Sequence, residues 1–125
     1  MARTFLVLGA MLAGLAVALG AFAAHGLAPR VSPERLQTFE TGVRYQMYHA
    51  LALLVTGWLV YRLNVPGLTV AGWCFLAGIV LFSGSLYVLV LTDTPWLGAV
   101  APLGGTAFIL GWGVLAWSLW QALRP

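Results

Sequence analysis

The sequence predicts an all-α integral membrane protein: a four-helix bundle with a short amphipathic interfacial helix between spans one and two. Three observations predict it. Apolar residues make up 62% of the chain and charged ones only 7%, against about 45–50% and about 25% in soluble domains. Arg3, Arg62 and Arg124 punctuate long apolar runs. Finally, 125 residues hold about four spans of roughly 20 residues joined by short loops. Residues 1–125 therefore form one transmembrane domain with no separate soluble part. The net charge of +3 comes from six arginines, with no lysine. They are scattered rather than gathered on one face, which excludes a nucleic-acid footprint. The lone Cys74 can form no intramolecular disulfide and reads as a small hydrophobe.

Span one covers about 4–24. Small residues recur every four positions at Ala10, Gly14, Ala18 and at Ala16, Gly20, Ala24, a spacing that lets membrane helices approach closely. The competing reading is a cleaved signal peptide, with Arg3 as the basic end and Ala21-Phe22-Ala23 as the cleavage box. Ser32-Pro33-Glu34 then opens a helix: a capping hydroxyl, a proline suited to the first turn and an acid at the positive helix end. Residues 33–42 are amphipathic and are placed at the interface, with Gly42 as a bend or as part of an unbroken helix.

Span two, about 43–62, is where the pattern breaks. Only twelve residues separate His49 from Arg62, roughly 18 Å of helix against a hydrocarbon core of about 30 Å. The span must reach back to Val43, which puts Arg44, Gln46 and His49 at membrane depth. Asn64-Val65-Pro66-Gly67 is a tight turn. Span three covers about 68–91, with Gly78 and Ser85 on its small-residue face. Span four covers about 102–123, with Gly104 and Gly111 on one face, and Trp117 and Trp120 suit an aromatic belt. Four spans put both termini on one side. Arg3, Arg62 and Arg124 lie there, balanced by Arg30, Arg35 and Arg44 on the other; the termini are assigned to the cytoplasm.

His49 is the sharpest candidate for chemistry, because intramembrane ionisable groups are rare and often functional. It lies roughly 10 Å below the membrane surface opposite Arg62. Tyr45 and Thr41 precede it by one and two turns, and His25 ends span one. Two readings stay open: a neutral histidine bonded to a backbone carbonyl or to Ser83 or Ser85, or a ligand group. Glu40 and Arg44 stand four apart with the acid first, the favourable order for an ion pair, and Gln46 is suited to bridging helices. Two histidines suffice for axial haem ligation but not for a closed zinc site. No other feature speaks for haem, so no cofactor and no metal are predicted. There is no nucleophile with a paired base, no carboxylate pair, no phosphate loop and no CxxC, hence no enzyme.

Gly20-Ala21-Phe22-Ala23-Ala24-His25-Gly26-Leu27 and Thr41-Gly42-Val43-Arg44-Tyr45-Gln46-Met47-Tyr48-His49-Ala50-Leu51-Ala52-Leu53 resemble the signature segments of the YgdD-like family. Phe82-Ser83-Gly84-Ser85-Leu86-Tyr87, Pro102-Leu103-Gly104-Gly105-Thr106 and Gly111-Trp112 are similar to its later spans. The resemblance covers essentially the whole chain, with Ala23 where a glycine is expected. It implies a four-span protein of the bacterial inner membrane and no activity. Its motif residues coincide with the polar cluster, and they single out His25, Tyr45, Gln46 and His49.

Two functions compete. One is an interaction protein that self-associates as a homo-oligomer, or joins a larger membrane complex, through its Gly/Ala faces. The other is binding or transport of a small molecule, lipid or ion at His25, Glu40, Arg44, Tyr45, Gln46 and His49.

Overall fold

The computed structural model describes every residue, Met1–Pro125. It is all helical, with no strand. Helix α1 is Ala2–Leu27, and its last turn, Ala23–Leu27, widens into a π turn in which the Ala28 N–H donates to the Ala23 carbonyl at 3.0 Å. Helix α2 is Pro33–Leu63. It starts as the sequence dictates: the Arg35 N–H donates to Ser32 Oγ at 3.2 Å, and Pro33 occupies the first turn. It ends at Asn64, whose left-handed backbone (φ 49°) is the conformation that closes helices.

Residues 33–42 and 43–62 were expected as an interfacial helix followed by a span, and the structure runs them as one unbroken helix. Gly42 is a seat rather than a bend. A Cβ placed there would lie 2.8 Å from Cε1 of Tyr87, so glycine admits the ring and the helix continues. Helix α3 is Pro66–Thr92, with a π turn at Ile79–Gly84 and a left-handed Asp93 (φ 51°) at its end. A 3₁₀ turn, Pro95–Ala99, leads into helix α4, Ala101–Ala122.

Close backbone approach sets the packing. Helix α1 lies along α2: a Cβ on Gly9 would stand 3.0 Å from the Ala50 carbonyl oxygen, and one on Gly57 3.1 Å from the Leu6 nitrogen. Helix α4 lies along α3, with Gly78 under the Phe108 ring, Gly104 on the Phe82 backbone and Gly111 against Phe75 and Cys74. Of the other small residues expected to pack, Gly20 rests on Val43 and Ser85 is buried. Gly14 packs against nothing within the chain, since a Cβ there would meet nothing within 4 Å. Helix α1 turns the other side of its circumference toward α2.

One apolar cluster joins Phe5, Leu53, Leu68, Phe75, Phe108 and Leu115. A second joins Ala23, Leu27, Phe39, Leu89 and Val90. Along α2 the stretch between Phe39 and Leu53 carries the buried polar residues Gln46 and His49.

The outer surface is apolar. Val17, Ile109, Trp117 and Trp120 are each more than 60% exposed, a coat that in water would be a continuous adhesive patch. Helix α1, helix α3 and Pro95–Ala122 are each long and apolar enough to cross a membrane. Helix α2 has the length, 31 residues, but carries four charged side chains before residue 45.

The one ion pair is Arg35 Nη2 to Asp93 Oδ1, 3.0 Å, between the start of α2 and the end of α3. The Asp93 side chain is 85% exposed, and exposed pairs contribute little. Asp93→Asn should leave the thermal midpoint in detergent nearly unchanged. A drop of many degrees would mean that this bridge organises the loop.

Candidate functional site

Helix α2 presents Gln46 and His49 inward, one turn apart, 2% and 4% exposed. Gln46 bridges three helices. Its Nε2 donates to the Leu12 carbonyl of α1 at 2.8 Å, and its Oε1 accepts from the Tyr87 hydroxyl of α3 at 2.6 Å. Ser83 adds a second link, donating to the Gly42 carbonyl at 2.6 Å. The π turn at Ile79–Gly84 is thus clasped on both sides, by this bond to α2 and by Gly104 of α4 lying on Phe82. Ser85 donates to the Phe82 carbonyl at 2.9 Å, giving that oxygen a side-chain partner inside the irregular turn.

His49 is bonded at both ring nitrogens. Nδ1 lies 2.8 Å from the Tyr45 carbonyl, and Nε2 lies 3.1 Å from the indole Nε1 of Trp112. A carbonyl only accepts and an indole N–H only donates. The bonds therefore specify a neutral ring, protonated on Nδ1 and accepting at Nε2. The ring also stacks on Phe108, with centroids 3.5 Å apart and planes 10° from parallel.

The expected cluster assembles only in part. Gln46, His49 and the backbone of Tyr45 come together. The Tyr45 ring is outside, 38% exposed, packed on Phe82 with centroids 4.8 Å apart. His25 sits exposed in the π turn that ends α1 and hydrogen-bonds none of these residues. It does not join His49. The Glu40–Arg44 ion pair does not form either. Arg44 Nη2 donates instead to Thr41 Oγ1 at 3.2 Å. An exposed pair of this spacing is worth only about 0.3–0.5 kcal/mol, too little to hold the guanidinium against a nearby hydroxyl.

Of the alternatives for His49, the backbone carbonyl is the one realised, at Tyr45, while Ser83 and Ser85 bond to backbone carbonyls themselves. The partner sequence reasoning missed is Trp112, and with it Tyr87 for Gln46. The spacing Phe108-Trp112, one helical turn, was the available signal. Every buried side-chain nitrogen and oxygen has a hydrogen-bond partner, and no three His, Cys, Asp or Glu side chains gather in a metal-binding arrangement.

Helices α2 and α4 lie farther apart than the other neighbours. Between them runs an open groove of about 430 Å³, walled by Tyr45, His49, Phe82, Phe108, Ile109 and Trp112, with Thr41 and Gly105 at one end. A depression of similar size at the end of α4 is lined by Trp120, Leu123, Arg124 and Pro125. It holds no titratable group besides that arginine.

The family model described as "Protein of unknown function (DUF423)" matches residues 19–105, which takes in Gln46, His49, the π turn of α3 and Gly104. The chain belongs to the DUF423 family. It is 53% identical over 111 residues to the UPF0382 membrane protein YwdK of Bacillus subtilis (strain 168), covering 88% of this chain and 90% of that protein. It is 47% identical over 113 residues to the UPF0382 membrane protein SAB0533 of Staphylococcus aureus (strain bovine RF122 / ET3-1), covering 90% and 92%. A UPF0382 membrane protein of Staphylococcus epidermidis (strain ATCC 12228 / FDA PCI 1200) is 48% identical over 113 residues. No solved structure matches. The family is one of membrane proteins without an assigned activity, which agrees with the apolar coat of the fold.

Proposed function

We propose that this DUF423 member is a non-enzymatic, four-span protein of the bacterial inner membrane that works by self-association. Helix α2 is the fourth span. One side of it is buried against its neighbours from Phe39 to Gly57, so it cannot stay outside a bilayer that holds α1 and α3. Its 31 residues extend roughly 46 Å, longer than the hydrocarbon core, which leaves residues 33–42 at headgroup level. Four crossings put both termini on one side, assigned to the cytoplasm with Arg3, Arg62 and Arg124.

The observation that carries self-association is the division of labour among small residues. Gly78, Gly104 and Gly111 are used inside the chain, and so are Gly9 and Gly57. Ala10, Gly14 and Ala18 all face outward, and a side chain at Gly14 would meet nothing. Small residues four apart on an outward face admit a second helix at close range. The polar layer, by contrast, is closed: with both nitrogens of His49 bonded within the chain, its role is to fix the register of α2 against α4.

Detergent-corrected light scattering should show a homo-oligomer, and Gly14→Leu should reduce it to monomers while leaving the thermal midpoint intact. A wild-type protein that runs as a monodisperse monomer would sink this reading.

A further inference from the structure

We propose that the groove between α2 and α4 holds one acyl chain of an anionic phospholipid, with Arg44 receiving the headgroup. The inference is independent of self-association and rests only on α2 crossing the bilayer.

The lining decides what the groove can take. Its walls are aromatic or aliphatic at Tyr45, Phe82, Phe108, Ile109 and Trp112. Of the polar side chains that line it, only the half-exposed Tyr45 keeps a free hydroxyl. Thr41 Oγ1 donates to the Gln37 carbonyl at 2.9 Å, and both nitrogens of His49 are bonded. A polar ligand lying along the floor would find one free hydroxyl, at Tyr45, and would lose most of its own hydration. The body of the occupant is therefore apolar. A volume of about 430 Å³ falls within the roughly 300–1,000 Å³ of ligand-binding clefts.

One end differs. Arg44 is exposed, lies within no carboxylate's ion-pairing distance, and reaches the Thr41 hydroxyl that closes the groove. A cation at one end of an apolar slot calls for an anion joined to a hydrocarbon chain. The slot also has the right direction. Thr41 to His49 is roughly 12 Å along the helix, running from headgroup level into the hydrocarbon, with the cation at the outer end. The open side faces lipid, so an acyl chain enters laterally without any helix moving.

Gly105 provides the test. A Cβ there would meet only Phe82 Cδ2 at 4.0 Å, so Gly105→Leu fills the groove without disturbing the fold. The wild-type protein and its variants are reconstituted with equal phosphatidylglycerol and phosphatidylcholine of the same acyl chains, extracted in mild detergent, and examined by native mass spectrometry for lipid retained.

Wild type should keep phosphatidylglycerol in preference to phosphatidylcholine. Gly105→Leu should keep neither. Arg44→Gln, at an exposed site, should lose the phosphatidylglycerol preference by roughly fivefold and hold phosphatidylcholine unchanged. Gly14→Leu, on the far face, should retain lipid as wild type does even where it abolishes the oligomer. Three outcomes overturn the proposal: Gly105→Leu retaining phosphatidylglycerol at wild-type levels, Arg44→Gln leaving the preference intact, or Gly105→Leu dissolving the oligomer instead of releasing lipid, which would make the groove a contact between copies.

Discussion

Gln46→Leu should destabilise the protein by about 1–3 kcal/mol, although leucine nearly matches glutamine in volume and is the more apolar residue. The change removes both cross-helix bonds of the amide. The Leu12 carbonyl keeps its place in the α1 hydrogen-bond ladder and loses only a second partner. The half-buried Tyr87 hydroxyl loses the acceptor 2.6 Å away. The loss therefore falls on the orphaned hydroxyl, and a cycle isolates it. Tyr87→Phe alone should also destabilise, by leaving Gln46 Oε1 unpaired. The double variant Gln46→Leu/Tyr87→Phe should be no worse than either single one, because removing both partners leaves nothing unsatisfied. Unfolding in mixed detergent, with the midpoint followed by tryptophan fluorescence, gives the three differences. Strict additivity would mean that the two side chains do not interact and that the polar layer owes its stability to packing alone.

The layer also shows where sequence reasoning succeeds and stops. That the chain is all helical was legible, and so were the start of α2 at Ser32-Pro33 and the turn at Asn64, since those signals are local; that residues 33–63 run as one helix was not. The twelve residues before Arg62 and bilayer thickness singled out Gln46 and His49, and the structure buries both. Their partners did not follow, because a partner depends on which helices become neighbours and at what rotation. Trp112 reads as a large apolar surface until α4 is seen to bring its indole N–H to His49. Tyr87 likewise reads as one more aromatic in span three. The two π turns left no trace either, as no residue type marks them. The Glu40–Arg44 spacing was correct as a pattern and empty as a bond, because a weak surface pair yields to any nearby hydroxyl. Gly14 and Gly104 carry the same local signal, a glycine in a small-residue row, yet one faces outward and the other is buried to the backbone.

That last difference supplies the largest expected effect. Gly104→Leu should destabilise by about 3 kcal/mol or more, enough to abolish a monodisperse preparation at ordinary temperatures. A Cβ at 104 would run into the backbone nitrogen of Phe82 and stand 2.7 Å from its Cα. Backbone inside a helix cannot swing aside as a side-chain tip can. Helices α3 and α4 must separate, or the π turn at Ile79–Gly84 must re-form. Either movement pulls Ser83 from the Gly42 carbonyl and shifts Phe108 under His49, so the damage spreads to α2. Gly113→Leu, in the same helix with nothing within 4 Å, is the matched control and should leave the thermal midpoint within a few degrees of wild type. Equal behaviour of the two variants would mean that α3 and α4 are not held at backbone contact and that the clasp on the π turn is not what joins α4 to the rest of the chain.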